Sequence, residues 1–193
     1  YVKKMKRGLK FLILISLIAN LFFVSADPTI SPSTFSSNPN QVSPVTITIT
    51  NNEPVQVQGA TNPNVTQVLV TLPSGFVFIS GTNLTSALGT FTNTSTILAW
   101  ENNSVGGYLI AGGESKTFSF NANATSLGTF NMTVKTRNST GISEKGIALT
   151  VSDTTSPSIT LVNPANNNED TDGVLVFECS ANDNYDLDSI ALY

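Results

Sequence analysis

Residues 115–137 read SKTFSFNANATSLGTFNMTVKTR, and this stretch decides the fold class. Apolar and polar side chains alternate in two blocks that are separated by Thr125-Ser126-Leu127. The alternating apolar residues are Phe118, Phe120, Ala122, Phe130, Met132 and Val134. A period of two places such a set on one face of a β-strand. The stretch therefore predicts two half-buried strands, residues 115–124 and 128–137, whose apolar faces share one core.

The same pattern recurs from residue 45 onward. VTITIT at 45–50 alternates in the same way and places Ile47 in the core. Further strands are predicted at 65–73, 75–80, 95–101 and 146–152. Turn-forming residues separate the strands at 73–75, 102–103, 112–113 and 138–141. About seven short strands in roughly 110–125 residues are typical of a two-sheet antiparallel sandwich, so the predicted fold class is all-β.

Trp100 is the chain's single tryptophan. We expect it to fill the core of this sandwich. The alternative is a tryptophan that stacks on a sugar, but such sites usually combine several exposed aromatic residues, and here only Tyr108 and Tyr185 are candidates.

The N-terminal segment, residues 1–26, has the pattern of a secretory signal peptide. Basic residues precede an apolar run from Phe11 to Val24, and the small residues Ser25-Ala26 follow it. The run is shorter than the roughly 20 residues that a membrane-spanning helix needs. We expect cleavage before Asp27. A retained anchor and a pilin-type cleavage at Gly8 are the alternatives.

Charge and composition exclude several functions. Residues 27–193 carry four basic and thirteen acidic side chains, a net charge of −9. No basic stripe is present, so a nucleic-acid partner is not expected. The chain has no histidine, which excludes Ser-His-Asp and Cys-His catalysis and histidine-ligated zinc. Phosphate-loop and dinucleotide-binding motifs are absent as well.

The composition changes near residue 153. Residues 153–193 hold eight carboxylates and no basic residue, and they open with the turn-rich Asp153-Thr154-Thr155-Ser156-Pro157. Three strands are predicted here, at 158–164, 173–181 and 187–193. Three strands do not close a sandwich. We therefore divide the chain into a signal peptide (1–26), a sandwich (27–152) and the N-terminal part of a second sandwich (153–193).

Two parts of the sequence resemble known surface modules. LPSGFVF (Leu72–Phe78), Trp100 and IAGGESKTFSF (Ile110–Phe120) resemble the immunoglobulin-like (Ig-like) repeat domain of prokaryotic surface proteins, including the CARDB class. DTTSPSITLVNPANN and VFECSANDNYDLDSIALY are similar to Ig-like modules of archaeal and bacterial cell-surface proteins. The resemblance implies Ig-like architecture and no particular activity. It also implies that Cys179, the only cysteine, pairs with a cysteine on a later strand, encoded after Tyr193.

The acidic loop NDNYDLD is a candidate metal site. Asp183, Asp186 and Asp188 offer the oxygen ligands that calcium prefers. The spacing lacks the EF-hand pattern, and Asp183-Asn184 also suits an ordinary turn between strands. Turn and calcium site both remain open, as they do for NNNEDTDG at 166–173. Calcium is the only cofactor considered.

Asparagine-linked glycosylation is a second candidate modification. Acceptor sequons begin at Asn64, Asn83, Asn93, Asn102, Asn123, Asn131 and Asn138. All of them lie in the first sandwich, and Asn131 falls on the polar face of its predicted strand.

Catalysis has little support. Glu53, Glu101 and Glu114 lie on or near turns, and an acid–base pair among them would depend on separations that a sequence does not reveal. We expect a non-catalytic exported cell-surface or envelope protein. Its Ig-like modules would mediate adhesion, form a stalk or present other parts of the protein. Its expected partners are other surface or envelope proteins or glycans, with the membrane involved only through export or an anchor elsewhere. The alternative is the accessory part of a secreted hydrolase whose catalytic domain lies beyond residue 193.

Overall fold

The structure, a computed structural model, describes residues 27–31, 34–53, 63–164, 173–174 and 176–187. The regular secondary structure in these ranges is all β-strand. The strands are β1 (Thr29–Ser31), β2 (Thr34–Ser37), β3 (Val42–Thr50), β4 (Gln67–Thr71), β5 (Phe76–Phe78), β6 (Leu84–Thr85), β7 (Thr90–Asn93), β8 (Ile97–Glu101), β9 (Ser115–Ala124), β10 (Gly128–Arg137), β11 (Ile142–Val151), β12 (Ser158–Asn163) and β13 (Glu178–Asn182). Within the described part, no helix is long and apolar enough to cross a membrane. The predicted signal peptide lies outside the described residues.

Strands β1 to β11 form two sheets. The first has the order β1-β3-β9-β5, with β6 also paired to β9, and the second has the order β2-β11-β10-β4-β8-β7. An Ig-like sandwich places strands A, B, E and D in one sheet and G, F and C in the other. Strands β1, β3, β4, β5, β9, β10 and β11 take the places of A to G in chain order. The predicted fold class, an all-β Ig-like sandwich, is confirmed.

Strands β9 and β10 have the bounds that the alternating pattern predicted. β11 is longer than the predicted segment 146–152 and begins at Ile142. Its first residues are polar or exposed and carry no apolar alternation, but they pair with the end of β10 from Arg137↔Ile142 onward. Lys135 and Glu144 add an ion pair of 2.9 Å across this hairpin. Pairing with a neighbour therefore extends β11 beyond its own sequence signal.

Four short strands were not predicted. β1, β2, β6 and β7 have two to four residues each, which is too short for a periodic signal. They exist because longer strands offer unpaired edges. β2 runs parallel to β11, and β7 pairs with β8. The β7–β8 pair is an addition to the seven-stranded Ig-like plan.

The core lies between the two sheets and contains the predicted residues. Ile47, Phe118, Met132 and Val134 are fully buried there, and Phe120 is 1% exposed. Trp100 is 1% exposed at the centre of an aromatic cluster, with ring centroids 5.3 Å from Phe118 and 5.0 Å from Phe91. Its predicted core position is confirmed. Phe130 is only half-buried and packs edge-on against Phe76 at 5.2 Å.

Strands β12 and β13 form a separate antiparallel pair. The predicted strand 173–181 begins only at Glu178, because Glu178 pairs with Asn163, the last residue of β12. The prediction of strand from residue 173 was therefore wrong at its N-terminal end. The predicted strand 187–193 falls almost wholly outside the described residues. The domain boundary at residue 153 stays a prediction.

Candidate functional site

A polar cleft opens at one end of the sandwich, where three connections meet. The β3–β4, β8–β9 and β10–β11 connections all leave their strands at this end, because Gln67 pairs with both Glu101 and Arg137 across the sheet. The cleft measures about 390 Å³. Its lining residues are Asn64, Thr66, Asn102, Asn103, Ser104, Gly106, Gly107, Asn138 and Ser139. None of these nine side chains carries a charge.

Asn102 holds the β8–β9 connection in shape. Its Nδ2 donates to the carbonyl oxygens of Leu88 at 3.3 Å and Tyr108 at 3.0 Å. Its Oδ1 accepts from the backbone nitrogen and the hydroxyl of Ser104, at 3.3 and 2.6 Å. Glycine is required at position 107, because a Cβ there would overlap the side chains of Ser104 and Asn102. The loop is therefore closely packed against its own polar side chains.

The other two connections are fixed in the same way. Asn64 is 8% exposed, and its Oδ1 accepts from the backbone nitrogen of Gly112 at 3.0 Å. Asn138 Oδ1 accepts from Thr140, through its nitrogen at 2.9 Å and its hydroxyl at 2.7 Å, and from the nitrogen of Gly141 at 2.9 Å. Such Asx turns lock a hairpin connection locally. Asn64, Asn102 and Asn138 thus each hold their part of the cleft through hydrogen bonds within the described residues.

Glu101 supports the cleft from the end of β8. Its carboxylate accepts a hydrogen bond from Asn103 Nδ2 at 3.0 Å and another from the side-chain amide of Gln67. These two bonds, with Asn103 the larger influence, lower the pKa of Glu101, and the charge of Arg137 acts in the same direction. Partial burial opposes them. The ionised carboxylate therefore anchors Asn103, a cleft residue, to the sheet.

The other two glutamates considered for catalysis have partners of their own. Glu114 forms an ion pair with Lys116 at 3.7 Å. Glu53 is 7% exposed, and its backbone nitrogen donates to Asn51 Oδ1 at 3.3 Å. The structure shows no direct hydrogen bond or ion pair that joins any two of the three glutamates within the described residues.

The seven sequon asparagines differ in their surroundings. Asn64, Asn102 and Asn138 line the cleft. Glycan attachment uses the amide nitrogen, and that of Asn102 already makes two hydrogen bonds. The other four are Asn93 and Asn131, both exposed, and Asn83 and Asn123, both half-buried. If glycans are attached, the geometry favours Asn93 and Asn131. Glycosylation itself stays a prediction.

The acidic loop after β13 is only partly described. Asp183 Oδ1 accepts a hydrogen bond from the backbone nitrogen of Asn184 at 2.7 Å, which suits a turn. Across the described ranges, no three histidine, cysteine, aspartate or glutamate side chains gather as metal ligands do. Asp188 and residues 166–172 lie outside those ranges, so calcium at Asp183, Asp186 and Asp188 stays a prediction.

Cys179 is a free, half-buried cysteine on β13, opposite Leu161 of β12. Its predicted disulfide with a cysteine after Tyr193 stays a prediction.

The cleft itself was missed in the sequence. Its asparagines, serines and glycines indicated turns, and each connection taken alone is an ordinary turn. A usable signal was that three separate connections each carry an asparagine with serine or threonine two positions later.

Comparisons with known proteins concern the fold. No protein-family model matches the chain, and no curated protein matches it. Among solved structures, a putative membrane anchored protein from Corynebacterium diphtheriae shares 12% identity over 65% of this chain and 35% of its own, with a TM-score of 0.49. The N-terminal domain of a Streptococcus gordonii adhesin shares 10% identity over 64% of this chain and 31% of its own, with a TM-score of 0.43. An uncharacterized Nocardia farcinica protein with an immunoglobulin-like fold shares 13% identity over 60% of this chain and 92% of its own, with a TM-score of 0.39. The matched region thus spans about a third of the first two structures. The Ig-like assignment rests on the strand order above.

Proposed function

We propose that this chain is an exported, non-catalytic protein of a prokaryotic cell surface or envelope, whose Ig-like sandwich serves as an adhesion, stalk or presentation module. The observation that supports the proposal is that residues directly after the predicted signal are bonded into the sandwich. Asp27, the first residue after the predicted signal, already takes part in the fold. Its carbonyl oxygen accepts a hydrogen bond from Asn52 Nδ2 at 2.7 Å, and Thr29 pairs with Thr50.

The direction of β11 supports a role in presentation. β11 starts at Ile142 beside the cleft and ends at Val151 at the opposite end of the sandwich. The chain then continues through Thr154, whose nitrogen and hydroxyl bond to Asn38 Oδ1 at 2.9 and 2.8 Å. A sandwich held from its C-terminal side therefore directs the cleft away from the attachment point.

Export is tested by fusing the chain, including residues 1–26, to an alkaline phosphatase that lacks its signal peptide. That reporter is active only after export. We expect an active reporter and, by N-terminal sequencing, a mature protein that starts at Asp27. The matched control carries Leu14→Arg and Leu17→Arg, which interrupt the apolar run and should abolish reporter activity. An inactive reporter with the intact leader would contradict export, and a retained 9–24 segment would contradict cleavage.

A further inference from the structure

We propose that the cleft at the loop end binds a neutral, polyhydroxylated ligand, namely a sugar residue of a glycan. Its volume of about 390 Å³ lies within the roughly 300–1,000 Å³ that is usual for ligand sites. The inference deepens the proposed surface function by naming a class of partner. It rests on the proposed function only in placing the encounter with that partner at the cell surface. Sugar binding is measured on purified protein and export is measured in cells. Either result can therefore be negative while the other is positive.

The chemistry of the lining selects the ligand class. Amides, hydroxyls and glycine backbone make up the described lining, so neither an anion nor a cation finds an opposite charge among these residues. Some hydrogen-bonding capacity remains within the described residues. Asn138 uses Oδ1 for its turn and keeps Nδ2 as a donor, whereas Asn103 uses Nδ2 toward Glu101 and keeps Oδ1 as an acceptor. Sugar hydroxyls both donate and accept, which matches this mixture.

The cleft residues are held in place before any ligand arrives. The bonds of Asn102 to Leu88, Tyr108 and Ser104 fix one wall. Fixing the binding groups beforehand lowers the ordering cost of binding. A weak hydrogen-bonding ligand such as a sugar therefore gains affinity from a site of this kind.

A peptide fits the cleft less well than a sugar does. Peptide recognition normally combines backbone hydrogen bonds with pockets for apolar side chains, whereas the described residues that line this cleft are all polar or glycine. Tyr108 follows Gly107 directly in the chain and is 42% exposed, and its carbonyl oxygen accepts a hydrogen bond from Asn102 Nδ2.

The experiment is a nuclear magnetic resonance titration of the purified protein with three neutral disaccharides: N,N′-diacetylchitobiose, lactose and mannobiose. We expect at least one to produce saturable shifts at Gly106, Gly107 and the Asn138 side chain, with a Kd of about 1 mM or tighter. The test variant is Asn138→Asp, which keeps the turn-forming oxygen and removes the Nδ2 donor. It should weaken binding roughly three- to tenfold, the effect of one neutral hydrogen bond.

The matched control is Asn93→Asp. It makes the same chemical change at the far end of β7, since Asn93 pairs with Leu98 while Thr90 pairs with Glu101 beside the cleft. Its affinity should equal that of the unaltered protein, and thermal unfolding should show both variants folded. The proposal is overturned if none of the disaccharides binds up to about 50 mM, or if Asn138→Asp and Asn93→Asp bind equally well. It is also overturned if acetyl-trialanine amide shifts the cleft resonances and the disaccharides do not.

Discussion

Phe120 lies at the centre of the core, between the rings of Phe78 at 6.3 Å and Trp100 at 6.5 Å. Its position follows from alternation alone, because every second side chain of β9 faces the other sheet. Phe130 shows the limit of that reasoning. It obeys the same alternation and pairs with the buried Leu149 of β11, yet it is only half-buried and packs edge-on against Phe76. Alternation thus predicts the face on which a side chain lies but not the degree of its burial.

Replacing Phe120 by alanine should lower the free energy of unfolding by about 3–5 kcal/mol, since it leaves a cavity among well-packed rings. Urea unfolding measures this. The control is Val77→Ala on β5, where the side chain is 51% exposed and a change within about 0.5 kcal/mol is expected. A loss below about 1 kcal/mol for Phe120→Ala would mean that the core has been misassigned.

Gly89, which directly precedes β7, packs closely against Leu109 and the backbone of Glu101. A Cβ at this position would lie 2.6 Å from Leu109 Cδ2 and 2.7 Å from the backbone oxygen of Glu101. Gly89→Ala should therefore cost about 1–3 kcal/mol of stability, as overpacking does, measured by thermal unfolding. Leu88→Ala, at a side chain that is 82% exposed, is the control. Equal midpoints for the two variants would refute the close approach.

At the scale of elements, short strands form by pairing with the edges of longer strands. β9 pairs with β3, β5 and β6, and β8 pairs with β4 and β7. Glu101 lies where this arrangement meets the cleft, because it closes β8 and bonds to Gln67 at the start of β4. The carboxylate thus stabilises the pairing of two strands and the position of Asn103 together.

The lowered pKa of Glu101 predicts a pH effect on stability. A carboxyl group whose pKa is lower in the folded state contributes stability above its unfolded pKa, and loses it as pH falls through the folded pKa. Glu101→Gln should therefore be less stable than the unaltered protein at pH 7, by under about 1 kcal/mol because water screens the site. The difference should shrink toward pH 3. Thermal unfolding at both pH values measures it, with Glu114→Gln as the surface control. A gap that widens on acidification would contradict the assigned sign.

At the scale of the whole molecule, two differently built parts follow one another. The sandwich buries its apolar faces between sheets, whereas β12 and β13 leave Ile159 66% exposed and Leu161 53% exposed. An isolated two-stranded sheet is marginally stable in water. Cys179 lies on the same ribbon, opposite Leu161.

The disulfide prediction belongs to this scale. In a longer form of the protein that carries a second cysteine on a later strand, we expect Cys179 to be oxidised. Such a bridge would contribute about 3–4 kcal/mol in the chain-entropy account. Thiol counting on denatured, unreduced protein measures it, and reduced protein provides the control. A free thiol in that longer protein would end the disulfide prediction.

The sequence by itself determined the all-β class, the long strands and the apolar set around Phe120, because the two-residue period of a strand is a local property of the chain. Only the tertiary structure decided that β1, β2, β6 and β7 exist, since each forms on the edge of a neighbouring strand. It also decided that Phe130 is half-buried, since alternation gives the face of a side chain and not the degree of its burial. The cleft belongs to the second group as well. Asn64, Asn102 and Asn138 each indicate a turn in the sequence, and they become one site only because pairing of β4 with β8 and β10 brings three distant connections to the same end of the sandwich.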